Sequence, residues 1–188
     1  MNNPINKIQD LSKYFTPRDF RGKTKIVVQL WWIVYALLFK PSPQVMYGWR
    51  RFLLRLFGAR IGKKVIIRPS AEITYPWKVC IGNYSWIGDN VVLYSLGDIK
   101  IGSNTVISQR SYICTGSHHY TKRNFPIYAK KIVIEDGCWL ATDVFVAPGV
   151  LIETGTVVGA RSSVFKDLKA FSIYAGSPAK FLKKREIE

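Results

Sequence analysis

A six-residue repeat runs through the chain from residue 61 onward and constrains the fold more than any other feature. An aliphatic residue leads each hexad, and Gly, Ala or an acid often follows, as in IGKKVI at 61–66 and IGSNTV at 101–106. A small or β-branched residue usually takes the fifth place. Clear hexads begin at 61, 81, 87, 101, 134, 140, 146, 152 and 158, and weaker ones at 67, 73, 93, 107, 113 and 164. A fixed repeat of this kind is typical of solenoids.

The hexads predict a triangular coil, because a residue that points inward every six positions requires a turn every six positions. Three such faces close one coil, and stacked coils form parallel strands about 4.8 Å apart. We call the first residue of each hexad its leader. When the leaders are grouped in threes, coils start at 61, 81, 101, 134 and 152, and the steps between these starts are 20, 20, 33 and 18 residues. One step exceeds 18 by 15 residues (33 − 18), which we assign to a loop insertion at 116–131. The predicted fold class is therefore all-β, a parallel β-helix of about five coils.

A solenoid needs capped ends, because an uncovered end exposes unpaired strand edges. We expect a helical capping region at 1–60, the repeat at 61–169, and a C-terminal tail at 170–188. Within the tail, AKFLKK at 179–184 follows a GSP turn and predicts a short helix. A β-sandwich with chance periodicity is the alternative, but it would not keep the six-residue phase unbroken from 134 to 169.

The charge balance is strongly basic. The 188 residues include 28 Lys and Arg against 12 Asp and Glu, a formal net charge of +16, which predicts an anionic partner. Anionic lipid, a phosphate-rich cofactor and nucleic acid all meet that requirement. The sequence shows no helix-turn-helix or finger pattern and no basic residues interleaved with aromatics, so we expect no nucleic-acid binding. Three scattered cysteines and two adjacent histidines form no metal-ligand pattern, so no metal is predicted.

Two apolar segments precede the repeat. The run at 26–39 spans 14 residues, about 21 Å as an α-helix, which is shorter than the roughly 30 Å hydrocarbon core of a bilayer. The segment at 44–57 sets Arg50, Arg51 and Arg55 beside apolar residues, a pattern that suits an amphipathic helix on anionic lipid. Both segments can also pack on the rest of the protein. The start of the chain has no signal-peptide pattern, so we expect a cytoplasmic protein, peripheral on the inner face of the cytoplasmic membrane.

Several motifs beside the hexads carry a family resemblance. They are LRLFGARIG at 54–62, YPW at 75–77, ISQRSYICTGSH at 107–118, VAPG at 146–149 and AGSPAK at 175–180. Together they resemble the hexapeptide-repeat acyltransferases over nearly the whole chain, and within them the colanic acid biosynthesis acetyltransferase group. The resemblance implies a left-handed parallel β-helix and transfer of acetyl from acetyl-CoA to a sugar hydroxyl. It also implies a homotrimer with its active site between neighbouring subunits.

His118 and His119 are the two histidines of the chain, and they stand where the long insertion starts. Loops that interrupt a rigid scaffold often carry function, and imidazole suits a general base because it titrates near neutrality. By motif position, TGSH at 115–118 matches the catalytic histidine of the family, so the resemblance identifies His118 as the base. His119 falls where relatives often carry aspartate, and we assign it to the acceptor side. The sequence shows neither GxSxG nor a reactive-cysteine context, which favours direct transfer in a ternary complex.

The resemblance also implies where the substrates bind. The pantetheine arm of CoA is expected along the coil seam, near Trp139, Ala141, Thr142, Ala160 and Arg161. Lys166, Lys180 and Lys183 suit the CoA phosphates as charge-assisted partners, although each can equally be a solvated surface charge. The expected acceptor is a hexose of an exopolysaccharide or a lipid-linked oligosaccharide. Its candidate contacts are Tyr75 and Trp77, which can stack on a sugar ring or be covered by the N-terminal helices, and Ser95, where relatives often carry asparagine.

A second function is compatible with the same fold. A β-helix without catalytic activity would serve as a scaffold for a membrane polysaccharide assembly. Such a protein would show no thermal shift with acetyl-CoA and no loss of function when His118 is changed.

Overall fold

The computed structural model describes residues 8–187 and shows a parallel β-helix with three sheets. One sheet, which we call face A, contains β1 (Arg60–Ile61), β4 (Val79–Ile81), β7 (Ile99–Ile101), β12 (Ile132–Ile134) and β15 (Leu151–Ile152). Face B contains β2 (Ile66–Ile67), β5 (Trp86–Ile87), β8 (Val106–Ile107), β13 (Trp139–Leu140), β16 (Val157–Val158), β18 (Ser172–Ala175) and β19 (Lys180–Lys184). Face C contains β3 (Glu72–Ile73), β6 (Val92–Tyr94), β9 (Tyr112–Cys114), β14 (Phe145–Val146) and β17 (Ser163–Val164).

The hexad leaders fill the interior of the prism. Leaders from all three faces are fully buried, among them Ile134 and Ile152 of face A, Ile87 and Leu140 of face B, and Ile113 and Val146 of face C. In each strand the neighbouring residue is more exposed, as in the exposed–buried pair Trp86 and Ile87 of β5. Burial of this regular set of aliphatic side chains supplies the main driving force for the coils. The repeat thus produces the left-handed parallel β-helix that the motifs imply.

Close stacking of coils explains the glycine at the second place of several hexads. A Cβ on Gly82 would lie 2.5 Å from the carbonyl carbon of Gly102, and one on Gly102 would lie 2.5 Å from the backbone nitrogen of Asp136. No real side chain occupies such a space. The spacing between coils at the corner between faces A and B therefore depends on glycine.

The long insertion forms an antiparallel hairpin at the corner between faces C and A. Its strands are β10 (Gly116–His118) and β11 (Ile127–Ala129), which pair in the register His118 to Ile127. The N-terminal segment lies over this hairpin, since the backbone N–H of Asp10 donates to the carbonyl of Arg123 at 2.7 Å. A short 3₁₀ turn at Leu11–Lys13 follows that contact.

Two helices cover the first coil. Helix α1 (Lys25–Val34) begins at Thr24, whose hydroxyl accepts from the backbone N–H of Val27, and it continues as a π-helical turn at Tyr35–Phe39. Its buried side chains include Trp31, which donates its indole N–H to the carbonyl of Ile73 at 2.9 Å. Among residues 8–187, no helix combines the length and the apolar character needed to span a membrane.

Helix α2 (Tyr47–Leu56) uses its arginines within the fold. Arg50 is fully buried and donates to the carbonyl of Ile67 at 2.7 Å, Arg51 donates to the carbonyl of Val65 at 2.8 Å, and Arg55 donates to that of Ile61 at 2.7 Å. These guanidinium groups satisfy carbonyls of the first coil. These contacts show that α2 packs on the β-helix, which is one of the two interpretations of the segment 44–57, and contact of this segment with lipid stays a prediction.

The C-terminal end differs from the predicted short helix, and that part of the prediction was wrong. Residues 180–184 form strand β19, which pairs antiparallel with β18. The physical reason is the free edge that β18 presents at the end of face B, because unpaired N–H and C=O groups favour the addition of a strand. A turn at Gly176, with φ of 101°, reverses the chain between them.

Candidate active site

His118 is held by the loop that closes the hairpin. Its Nδ1 lies 2.9 Å from the carbonyl oxygen of Phe125, and the two rings stack with centroids 4.3 Å apart. A carbonyl oxygen only accepts hydrogen bonds, so this contact assigns the proton of neutral imidazole to Nδ1. Nε2 then carries the lone pair that a general base requires.

Phe125 adopts a backbone conformation that favours glycine, with φ of 46°. Non-glycine residues in this region are uncommon and tend to be strained. The conformation is supported by a turn in which the N–H of Phe125 donates to the carbonyl of Lys122 at 2.9 Å. The loop thereby presents both a carbonyl and an aromatic face to one imidazole. The sequence gives no signal for this orienting group, since a backbone acceptor has no residue signature.

Aromatic side chains lie beside His118 and on face C. The ring of Tyr14 lies 6.2 Å from that of His118, and Tyr94 and Tyr112 lie 5.9 Å apart on adjacent strands. Burial raises the pKa of Tyr112 to about 12 and raises the pKa of Tyr94 as well, so both phenols stay protonated at neutral pH. Sequence analysis missed all three tyrosines, because residue 14 is distant in sequence and the other two occupy ordinary strand positions.

The predicted donor residues collect on the opposite edge of face C. Trp139 is exposed on face B and donates its indole N–H to Ser108 at 3.0 Å. Ala141, Thr142, Ala160 and Arg161 follow at the corner between faces B and C, where the N–H of Arg161 donates to the carbonyl of Thr142 at 2.8 Å. This corner therefore contains four of the residues that the resemblance implies for CoA, and Trp139 lies next to it on face B.

An ion-pair network fixes the same corner. Arg110 makes two hydrogen bonds of 2.8 Å to Asp143, and Arg161 lies 3.8 Å from the same carboxylate. The bonds from Arg110 hold the pKa of the Asp143 carboxyl below its usual value. The Arg161 side chain remains largely exposed, so it is accessible to an anionic ligand.

The three predicted phosphate partners fall into two places. On face B, strand register aligns Trp139 with Val157, then Ile173, then Lys183, which sets Lys183 three strands, about 14 Å, from the indole. Lys180 lies on the same strand β19. Lys166 instead follows β17 at the corner between faces C and A, the corner that bears His118.

The chain alone does not bring His118 and the donor corner together. Strand β9 and its flanking residues separate them by five to six extended residues, roughly 15–20 Å. The two halves of the predicted site thus occupy opposite edges of face C.

The residues predicted to contact the acceptor lie in different surroundings. Tyr75 is buried and stacks on Trp77 with centroids 5.1 Å apart, and the indole of Trp77 donates to the carbonyl of Arg21 at 2.7 Å. Both rings are covered by the segment that precedes α1. Ser95 is fully buried, and its hydroxyl accepts from the N–H of Tyr75 at 2.8 Å and donates to the carbonyl of Tyr75 at 3.1 Å.

His119 is the exception among them. It is exposed in the hairpin, and its ring lies 4.6 Å from that of Tyr128.

Among residues 8–187, no group of three His, Cys, Asp or Glu side chains is arranged to hold a metal ion.

Comparison with known proteins places this arrangement in a family. A scan against protein-family models finds no match. The chain is 61% identical over 178 residues to an Escherichia coli (strain K12) protein named "Putative colanic acid biosynthesis acetyltransferase WcaF", covering 95% of this chain and 98% of that one. It is 27% identical to galactoside O-acetyltransferase of the same organism, covering 97% and 90% of the two chains.

A solved structure agrees with these relatives. The hexapeptide-repeat containing acetyltransferase of Vibrio cholerae O1 biovar eltor, complexed with acetyl coenzyme A, matches with a TM-score of 0.78 and 25% identity, covering 87% of this chain and 89% of that one. The β-helix and the sequence identity together define a hexapeptide-repeat acetyltransferase. Within that family, the chain belongs to the colanic acid biosynthesis acetyltransferase group.

Proposed function

We propose that the protein is an O-acetyltransferase that moves acetyl from acetyl-CoA to a sugar hydroxyl of a bacterial exopolysaccharide, colanic-acid-like, or of a lipid-linked glycan. The observation that carries the proposal is the contact between His118 Nδ1 and the carbonyl of Phe125, which leaves Nε2 as the proton acceptor. The relatives support the donor and the reaction class, since the Vibrio cholerae structure is a complex with acetyl coenzyme A.

The proposed reaction uses a single general base and forms no covalent acyl-enzyme. His118 Nε2 takes the proton of the acceptor hydroxyl while its oxygen attacks the thioester carbonyl of acetyl-CoA. The tetrahedral intermediate collapses with cleavage of the C–S bond, and the imidazolium returns the proton to the departing CoA sulfur. General-base catalysis of this kind contributes on the order of 10² to 10⁴ in rate.

The protein acts as a homotrimer in this proposal. His118 and Lys166 lie on one edge of face C. The other edge holds Ala141, Thr142, Ala160 and Arg161, with Trp139 next to them on face B. A threefold assembly sets one edge of each subunit against the other edge of its neighbour. The separation of the two halves within one chain supports a site built from two subunits.

The phosphates of CoA are then bound by cations from both subunits. Arg161 is exposed at the donor corner, and Lys180 and Lys183 extend the same side of the prism. Lys166 contributes from the subunit that supplies His118. Charge-assisted hydrogen bonds to phosphate are among the stronger polar contacts in proteins.

The acceptor sugar is expected beside His118. His119 and the aromatic rings of Tyr14, Tyr94 and Tyr112 offer a partly apolar surface next to the base. The N-terminal segment covers Tyr75 and Trp77. In this proposal these two residues therefore pack beneath the acceptor surface and support it. We place the reaction on the inner face of the cytoplasmic membrane, where a lipid-linked acceptor would be available.

Mass spectrometry of glycans incubated with the protein and acetyl-CoA tests the function. We expect a gain of one acetyl group on the true acceptor, together with a thermal shift of the protein on addition of acetyl-CoA. A protein that acetylates none of the exopolysaccharide and lipid-linked acceptors and shows no thermal shift would instead be the scaffold without catalytic activity.

A further inference from the structure

Helix α1 and the π-helical turn that follows it present an apolar stripe outward. Successive residues of a helix differ by 100°, so positions 26, 30, 33 and 37 share one face, opposite the buried face formed by 28, 31, 35 and 39. The outward stripe is exposed to the extent of 79% at Ile26, 50% at Leu30, 55% at Ile33 and 66% at Leu37. Contiguous exposed apolar surface of this kind usually marks an interaction site.

The stripe continues into a groove between the two helices. The groove has a volume of about 460 Å³ and is lined by Val27, Leu30, Leu56 and Phe57, with Lys23 at its rim. Leu30 belongs to both the stripe and the groove. Together they form one apolar surface over the first coil of the β-helix, and we call it the α1 face.

Cations border the α1 face at both ends. Lys23 and Lys25 are exposed before Ile26, and Lys40 is exposed after the π-helical turn. None of the three takes part in an ion pair between the described residues. Arg18 and Arg21 join Lys23 and Lys25 around a hollow of about 510 Å³. The α1 face is therefore an apolar surface with a positive rim.

The charges of this region distinguish between two partners that could cover the α1 face, a second copy of the chain and a lipid bilayer. Asp10 and Asp19 are the acidic residues of the stretch 8–59, and none occurs between 20 and 59. A second copy packed on α1 through a twofold axis would bring Lys25 or Lys40 against equivalent cations, with no carboxylate on the face to offset them. An anionic bilayer offers the opposite charge and an apolar interior in the same surface.

We propose that the α1 face docks on an anionic phospholipid bilayer. Ile26, Leu30, Ile33 and Leu37 enter the boundary between headgroups and acyl chains, while Lys23, Lys25 and Lys40 contact lipid phosphates. The segment between Asp10 and Thr24 connects the hairpin that bears His118 to α1. Docking would therefore set the catalytic loop near acceptors carried on lipid. This inference deepens the proposed function, but its test needs no acetyl-CoA.

Vesicle co-sedimentation of the full chain tests the apolar part. We expect binding to vesicles of phosphatidylcholine with phosphatidylglycerol, weakened by salt, and little binding to phosphatidylcholine alone. The double variant Ile26→Glu/Ile33→Glu should bind at least about tenfold more weakly. Leu182→Glu/Ile187→Glu is the matched control, since these side chains are 60% and 69% exposed near the C-terminal end, and it should bind like the wild type.

The charged rim is tested by Lys23→Gln/Lys25→Gln, which should bind roughly 25-fold more weakly, about fivefold for each lysine. Lys100→Gln/Lys131→Gln removes the same charge from β7 and from the residue before β12, and it should change binding little. The proposal is overturned if the wild type does not bind anionic vesicles, or if the α1 variants bind as well as the wild type. It is also overturned if Ile26→Glu/Ile33→Glu changes only the oligomeric mass, which would make the α1 face a contact between protein copies. Because vesicle binding and acetyl transfer are measured separately, failure of one does not imply failure of the other.

Discussion

Single polar contacts decide which residues of the site are available for chemistry. The carbonyl of Phe125 fixes the tautomer of His118, and it does so from a backbone conformation that few residues adopt. The hydroxyl of Ser95 is used in two bonds to the backbone of Tyr75. A side chain satisfied within the fold in this way has little capacity left for a ligand.

Ser95→Ala distinguishes a structural role from an acceptor contact. The substitution leaves the buried N–H of Tyr75 without a partner, so we expect a loss of about 1–3 kcal/mol in the free energy of unfolding. Denaturant unfolding measures that loss, and the KM for the acceptor should stay near the wild-type value. A raised KM at unchanged stability would show instead that Ser95 contacts the sugar.

Each element of the fold shows how far sequence reasoning reaches. The hexads predicted the three-faced coils and the position of the insertion. They could do so because the inward position of each leader depends on its place in a local repeat and not on contacts with residues distant in sequence. The segment at 179–184 was mispredicted because the free edge of β18 overrides the local helical composition. The role of Arg50 in α2 was hidden for a similar reason, since its partners lie in the first coil and in the turn before α2.

Arg50→Met tests how much α2 depends on its buried guanidinium. Burial lowers the pKa of Arg50, and the group donates to Ile67, Ser42 and Pro43. Loss of these bonds leaves buried acceptors unpaired, and we expect about 3 kcal/mol of destabilisation in chemical denaturation at fixed protein concentration. Arg51→Met removes one bond to Val65 and should cost about 1 kcal/mol. Equal losses for the two variants would contradict this account of α2.

At the scale of the whole molecule, the two predicted half-sites lie on opposite edges of face C, so the proposed mechanism depends on the proposed homotrimer. His118 lies at the corner between faces C and A, and Ala160 lies at the corner between faces B and C. In a ring of three subunits, each active site then takes the base from one chain and the CoA seam from the next.

Mixed trimers test this composite site. His118→Ala removes the base, and Ala160→Trp blocks the exposed donor corner, so each variant alone should be inactive. Co-expression of the two at equal amounts should restore about a quarter of the wild-type activity, because one pairing in four joins an intact base to an intact donor corner. If co-expression yields no activity, both halves of the site belong to the same subunit.

The most direct test of the central claim compares His118→Ala with its neighbour His119→Ala, under saturating acetyl-CoA and the true acceptor. The account predicts that His118→Ala keeps the thermal shift with acetyl-CoA but loses on the order of 10² to 10⁴ in turnover, whereas His119→Ala keeps most of its turnover. A His118→Ala protein that acetylates the acceptor at a near wild-type rate would show that His118 is not the base.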